Sequence, residues 1–261
     1  MYNIFDVKEG VIVHQVNCQK TMGAGIAKEI KKRFPKVYKE YLKEDQQLGN
    51  AQLVEVDKNF YVANIFGQET YGSNKRDTNY KAVRKAFKQV GNFIKANQYT
   101  LYVPFKMGCG LAKGDWRIYR DIIDEQCGDL VQICCPDLKN YKIETSYFAN
   151  IKNTHNPISI ARNSKLNILS LDEFKPESRL LYKYKENFIN EEEYINEYKE
   201  KTLDKIDIDN LLKKLKTIAD DKNRITFICY EKDVFCHRHL VAEWLRYIFG
   251  LKIKETQKRG K

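Results

Sequence analysis

The chain has 261 residues, with 46 Lys and Arg against 35 Asp and Glu and a formal net charge of +11, and is long enough to bury sizeable cores as one large or two smaller domains. The positive balance favours anionic partners such as nucleotides or nucleic acid, but it is spread along the sequence rather than gathered into a polybasic arm, so charge alone does not select nucleic acid. Seven cysteines in an odd set, with no leader segment and no long apolar span, argue against a disulfide scaffold and a membrane protein and point to the reducing cytoplasm.

Apolar, β-branched runs predict strands over residues 11–16, 52–56, 60–66, 99–105 and 130–135. Helical spacing predicts helices over 25–33, 36–43, 79–97 and 116–126. Alternation with short connections implies an α/β domain with helices on both faces of a mostly parallel or mixed sheet. Ligands bind such sheets outside the carboxyl ends of the strands. Near residue 145 the pattern changes. Loop signals ("NTHNP", "RNSK", "FKPES") give way to a charged helical stretch from Asn190 to Lys222, read as a solvated face. A further strand, "RITFICYEK", then enters a helix with Leu240, Val241, Trp244, Leu245 and Ile248 on one face. The expected organisation is a first α/β domain over 1–144 and a smaller second α/β domain over 145–261, without internal repeats. No cysteine pair has Cys-x-x-Cys spacing and the adjacent Cys134 and Cys135 are poorly spaced for zinc, so neither a metal nor another cofactor is expected.

Two strand-to-helix joints are rich in glycine. "VNCQKTMGAGIAKEIKKRFP" places Gly23 and Gly25 directly before a helix, and "PFKMGCGLAKGDW" places Gly108, Gly110 and Gly114 after a strand. Such turns let a ligand approach the backbone while the first free N–H groups of the helix point at it. Two of them in one domain suit a diphosphate gripped from both sides; the plainer alternative is that the glycines only shape tight turns. Asp115, just before Trp116, suits a general base or, better, a helix N-cap. Cys18 and Cys109 read as small packing residues, His14 as a core histidine, and Tyr71, Lys75 and Arg76 as loop residues able to cover a ligand or simply to be solvated.

Together "HQVNCQKTMGAGIAKEIKKRFP", "YVANIFGQETYGSNKRDTNYKAVRKA" and "PFKMGCGLAKGDW" resemble a macrodomain, the module that binds ADP-ribose, over about residues 1–140. The likeness is to the bacterial and phage branch allied to terminal ADP-ribose hydrolases and to the antitoxin macrodomain that clears ADP-ribose from DNA. The resemblance implies a three-layer α/β fold with a mixed central sheet, and binding or hydrolysis of ADP-ribose carried on protein, nucleic acid or a small phosphate ester. It implies that Asp6 accepts from the adenine amino group and that Asn17 lies near the terminal ribose. Gly23, Ala24, Gly25 and Ile26 would form one phosphate loop, and Gly108, Cys109, Gly110 and Leu111 the other. One related enzyme group carries a lysine after the third strand and an aspartate after the second loop. Here Gly67, Gln68 and Ala112 occupy those places, so the lysine-adduct mechanism does not transfer. Asn17 and Asp115 are left as catalytic candidates, with a non-catalytic module that senses or sequesters ADP-ribose or NAD-derived nucleotides in a bacterial or phage conflict system as the alternative.

The second half, over about residues 145–256, resembles the family called domain of unknown function 488, carried by "TSYFANIKN", "ISIARNSK" and "FICYEKDVFCHRHLVAEWL". Cys236, His237 and Arg238 stand at a strand-to-helix joint, with Cys229 and Glu231 at the strand end. A helix start there lowers a thiol's pKa and draws anions. These residues, joined by Arg162, read either as an anion or nucleotide pocket or as a structural Arg238–Glu231 pair beneath a buried cysteine. The phosphatase spacing is absent, because position 232 is lysine.

Overall fold

A computed structural model describes residues 3–43, 47–72, 74–164, 166–232 and 234–256. It divides into two compact units, Met1–Lys139 with Ile248–Gly250, and Asn140–Tyr247 with Leu251–Lys261.

The first unit opens on a 3-10 turn, Ile4–Asp6, and continues as β1 (Gly10–Asn17), α1 (Gly25–Arg33), α2 (Pro35–Lys43), β2 (Ala51–Asp57), β3 (Phe60–Gln68), α3 (Tyr80–Asn97), β4 (Leu101–Pro104), α4 (Trp116–Cys127) and β5 (Val131–Cys134). The sheet order is β2-β3-β1-β4-β5. All neighbours are parallel except β2, which pairs antiparallel with β3, so the sheet is mixed. Every residue of β1 is buried, as expected of a central strand covered on both faces. Alternation along that strand sorts the two cores. Ile12 packs with Ile30, Val37, Val54 and Val62, and Val16 with Met22, Tyr41 and Phe66, on the α1–α2 side. Gln15, on the opposite face, meets Tyr119 of α4, and α3 and α4 pack together so closely that a Cβ on Gly91 would run into the Gln126 carbonyl. The result is the three-layer α/β fold.

Helix ends follow local chemistry. Asn79 accepts from Ala82 N at the start of α3, and Gln98 closes that helix in the left-handed conformation. Asp115 accepts from Arg117 N at the start of α4. At α1 the N-cap is Ala24, which has no capping side chain, and no acidic residue stands in the first turn.

The second unit is also α/β and smaller: β6 (Lys142–Tyr147), β7 (Pro157–Ser159), α5 (Ser178–Lys185), α6 (Glu191–Lys201), α7 (Ile208–Ile218), β8 (Arg224–Cys229), α8 (His237–Phe249) and β9 (Lys254–Glu255). Its sheet is parallel in the order β7-β8-β6-β9. The charged stretch forms two helices, one opened by a capping box of Asn190 and Glu193 and the other by Asp207. Its charges are solvated, but Tyr194 and Tyr198 between them are buried, so the stretch also supplies core. Among the described residues no helix is long and apolar enough to cross a membrane.

Candidate functional site

Strands β1 and β4 are neighbours, so the loops at their carboxyl ends lie side by side, and both line one cavity of about 560 Å³. On one wall are Asn17, Thr21 and the start of α1, Gly23 to Ala27. On the other are Pro104 to Gly108 and Gly110 to Ala112. Gln15, Val16, Gln68 and Tyr71 complete it.

The first wall exposes helix amides. Gly25 takes a positive φ of 53° to turn the chain into α1, and a Cβ built there would meet nothing within 4 Å. With no side chain capping α1, the positive end of its dipole faces open space. Asn17 closes the preceding turn: its Oδ1 accepts from Gln19 N at 2.9 Å and Thr21 N at 3.3 Å, and its Nδ2 donates to the Thr21 carbonyl at 2.7 Å. The Tyr41 hydroxyl donates to the Asn17 carbonyl at 2.5 Å and fixes the strand end from below.

The second wall is a strained loop on a polar footing. Lys106, Gly108 and Lys113 all have positive φ. Only glycine fits at 108, where a Cβ would collide with the Tyr119 hydroxyl. That hydroxyl donates to Gln15 Oε1, and Gln15 Nε2 donates to Gln68 Oε1 at 2.7 Å and Thr78 Oγ1 at 3.3 Å. Thr78 Oγ1 in turn donates to the Gly108 carbonyl at 3.1 Å. Burial pushes the Tyr119 hydroxyl far above its usual pKa, so it stays a neutral donor. The Ala112 carbonyl accepts from Asp77 N and Thr78 N, both at 3.1 Å.

The remaining sequence candidates fall as follows. Leu111 and Tyr71 line the cavity and are largely exposed. Cys109 donates to the Met107 carbonyl at 3.3 Å and does not belong to the lining, nor do Lys75 and Arg76, the latter lying over the Tyr80 ring. Asp6 is exposed on the first turn, whose Ile4 and Val7 share a core cluster with Ile26 of the cavity wall. Asp115 lies outside the lining, and its Oδ1 accepts from Arg117 N at 2.8 Å as the cap of α4. His14 is wholly buried. Its Nε2 lies 2.6 Å from Asn64 Oδ1, its Nδ1 has no partner, and burial lowers its pKa to about 4. Sequence reasoning missed the Gln15–Thr78–Tyr119 footing, whose members lie far apart in sequence and show no spacing signal.

In the second unit the end of β8 and the start of α8 bring Cys229, Cys236 and His237 together, all buried. Cys229 Sγ is 3.7 Å from both His237 Nδ1 and Glu231 Oε2. The Cys229 thiol holds Cys236 well below the usual thiol pKa, helped by His237 and the Arg238 N–H, while Cys229 itself moves up. Arg238 is fully buried, and its fork is occupied within the protein. Nε and Nη2 donate to Glu255 Oε1 at 3.1 and 2.7 Å, and Nη1 and Nη2 to the Glu231 and Lys232 carbonyls. The carboxylate that meets Arg238 is thus Glu255 on β9, and Glu231, its partner in the structural alternative, takes part through its main-chain carbonyl. Arg162 donates through Nε to the Pro176 carbonyl at 2.8 Å.

The sequence matches the family described as "Macro domain" over residues 13–123 and the one described as "Active DUF488-N3 subclade" over 138–248. It is 30% identical over 125 residues to an uncharacterized 17.5 kDa protein in the tk-vs intergenic region of Enterobacteria phage T4, covering 43% of this chain and 77% of that one. Among solved structures, a Bacteroides thetaiotaomicron protein is 30% identical, with 49% of this chain and 90% of that one covered and a TM-score of 0.44. The macrodomain of Thermus aquaticus DarG is 21% identical, with 52% and 95% covered and a TM-score of 0.45. Thermosipho africanus DarTG, solved in complex with ADP-ribose, is 21% identical, with 52% and 42% covered and a TM-score of 0.43.

Proposed function

This chain belongs to the macro domain family, with its macro domain over residues 13–123 followed by a DUF488-N3 segment, and from that premise we propose that its first unit binds ADP-ribose or molecules carrying it. The supporting observation is the pairing of an uncapped helix start with a positive-φ glycine loop on the two walls of one cavity. Backbone N–H groups at a helix start bind phosphate through direct hydrogen bonds and the helix dipole together. The diphosphate lies between Gly23–Ala27 and Gly108–Ala112. The adenosine end runs from Ile26 toward the turn bearing Asp6, whose carboxylate accepts from the adenine amino group. The distal ribose lies beside Asn17.

Hydrolysis of an ADP-ribosyl linkage is a second reading, favoured by Asn17 lining the cavity next to the phosphate walls. With the Asn17 amide engaged in its own turn and Asp115 capping α4, the reaction uses water oriented by the bound diphosphate. The water oxygen bonds to the anomeric carbon, the bond to the carrier breaks, and the carrier leaves with a proton. Calorimetry of the full chain with ADP-ribose, AMP and ribose 5-phosphate tests the binding. ADP-ribose is expected to bind most tightly, and no heat with any of them refutes the reading. Mass spectrometry of ADP-ribosylated protein, ADP-ribosylated DNA and ADP-ribose 1''-phosphate after incubation separates a hydrolase from a sensor. Salt-dependent affinity for DNA lacking ADP-ribose would instead reveal a direct nucleic-acid partner.

A further inference from the structure

We propose that the second unit holds a zinc ion on Cys229, Cys236 and His237. Their two sulfurs and an imidazole nitrogen all lie within 4.8 Å of one another, and the residues are only 2%, 2% and 6% exposed. In a tetrahedral site with Zn–S of about 2.3 Å and Zn–N of about 2.0 Å, sulfur and nitrogen ligands stand roughly 3.5 Å apart. Cys229 Sγ and His237 Nδ1 are 3.7 Å apart. For that pair only a small side-chain shift is needed to close on an ion, and Cys236 Sγ lies within 4.8 Å of both.

The histidine is anchored through one ring nitrogen. Its Nε2 lies 3.0 Å from the Ile160 carbonyl, which can only accept, so Nε2 donates there; Cys229 Sγ is nearly equidistant from the two ring nitrogens, 3.7 Å from Nδ1 and 3.9 Å from Nε2, and with Nε2 held, Nδ1 is the nitrogen offered to an ion. A ring N–H given to a carbonyl is the usual support of a metal-bound histidine. Arg238, next in sequence, ties the carbonyls of Glu231 and Lys232 to Glu255 and so fixes the loop between the two cysteines. Its own charge is matched by Glu255. Two thiolates and an imidazole select a soft or borderline cation over magnesium or calcium, and a divalent ion cancels two thiolate charges that are costly to bury alone. Three protein ligands leave the fourth position to water or another donor, the pattern of open rather than closed zinc sites. Glu231 stands beside Cys229 at that cluster.

The spacing rule for zinc fails here because six residues separate the cysteines and the histidine follows the second directly. Only the β8–α8 turn brings the donors together.

The test is elemental analysis of the full chain, expressed with added zinc and purified under reducing conditions without chelator. About one zinc per chain is expected, falling at least tenfold in Cys236→Ser and in His237→Gln and unchanged in Cys135→Ala, a buried cysteine of the first unit. Cobalt added to the metal-free full chain is expected to give a thiolate-to-cobalt charge-transfer band, which decides the matter even where a variant fails to fold. Lack of both zinc and that band in the wild-type chain would overturn the site. So would zinc retained in a folded Cys236→Ser variant, or a Cys229–Cys236 disulfide persisting in reductant.

Discussion

Replacing Gly23 by valine separates ligand binding from folding. Gly23 does not require a positive φ, and a Cβ added there meets only Thr21 Cγ2, at an ordinary 3.6 Å. The protein therefore accepts the side chain, and its branches project where Gly23 lines the cavity. A diphosphate held off by that bulk loses at least one charge-assisted hydrogen bond to the α1 amides, worth about 1.5–3 kcal/mol. Affinity for ADP-ribose is thus expected to fall about tenfold or more, since tenfold corresponds to about 1.4 kcal/mol. Stability in urea is expected to stay within about 0.5 kcal/mol of wild type. Gly108→Ala gives the contrasting result: at φ +72° and against the Tyr119 hydroxyl, it destabilises the fold itself. Calorimetry with ADP-ribose paired with urea unfolding reads both quantities. Wild-type affinity in a Gly23→Val protein of wild-type stability would refute the phosphate-cradle reasoning.

Asp115→Ala is expected to cost about 1 kcal/mol of stability through the lost cap of α4 while leaving ADP-ribose affinity unchanged; urea unfolding and calorimetry check it, and the reverse pattern would return Asp115 to the site. Asp6→Ala is expected to weaken ADP-ribose more than ribose 5-phosphate in the same titration, because only the former carries adenine. His14 is neutral when folded, with a pKa of about 4 against an ordinary 6.5. Unfolding then takes up a proton below about pH 6.5, so its contribution is full above that pH and is lost as pH falls toward 4, amounting to about 2 kcal/mol between pH 7 and 5. Urea unfolding of the first unit at the two pH values, compared with His14→Gln, is expected to show a flatter dependence in the variant.

Much of the first unit is legible in its sequence because periodicity and turn chemistry agree. The buried run of β1, the Asn79 and Asp115 caps and both glycine joints are local signals, and each acts where it is written. The footing under the second loop is different. Gln15, Thr78 and Tyr119 meet only because β1, the turn before α3 and α4 converge, and none has a spacing that announces it. The same holds for Glu255 opposite Arg238, where a two-residue strand pairs with β6 and brings together residues 17 apart. In the charged stretch from Asn190 to Lys222, abundant Glu and Lys obscure Tyr194 and Tyr198, whose burial depends on what lies beneath the helix.

The Arg238–Glu255 pair also bears on how this protein is handled in the laboratory. A guanidinium shut off from solvent draws its counter-charge from a short edge strand that is easily peeled away. Trimming that strand, or fusing a bulky tag against it, would strand the cation and loosen the cysteine-bearing turn many residues upstream.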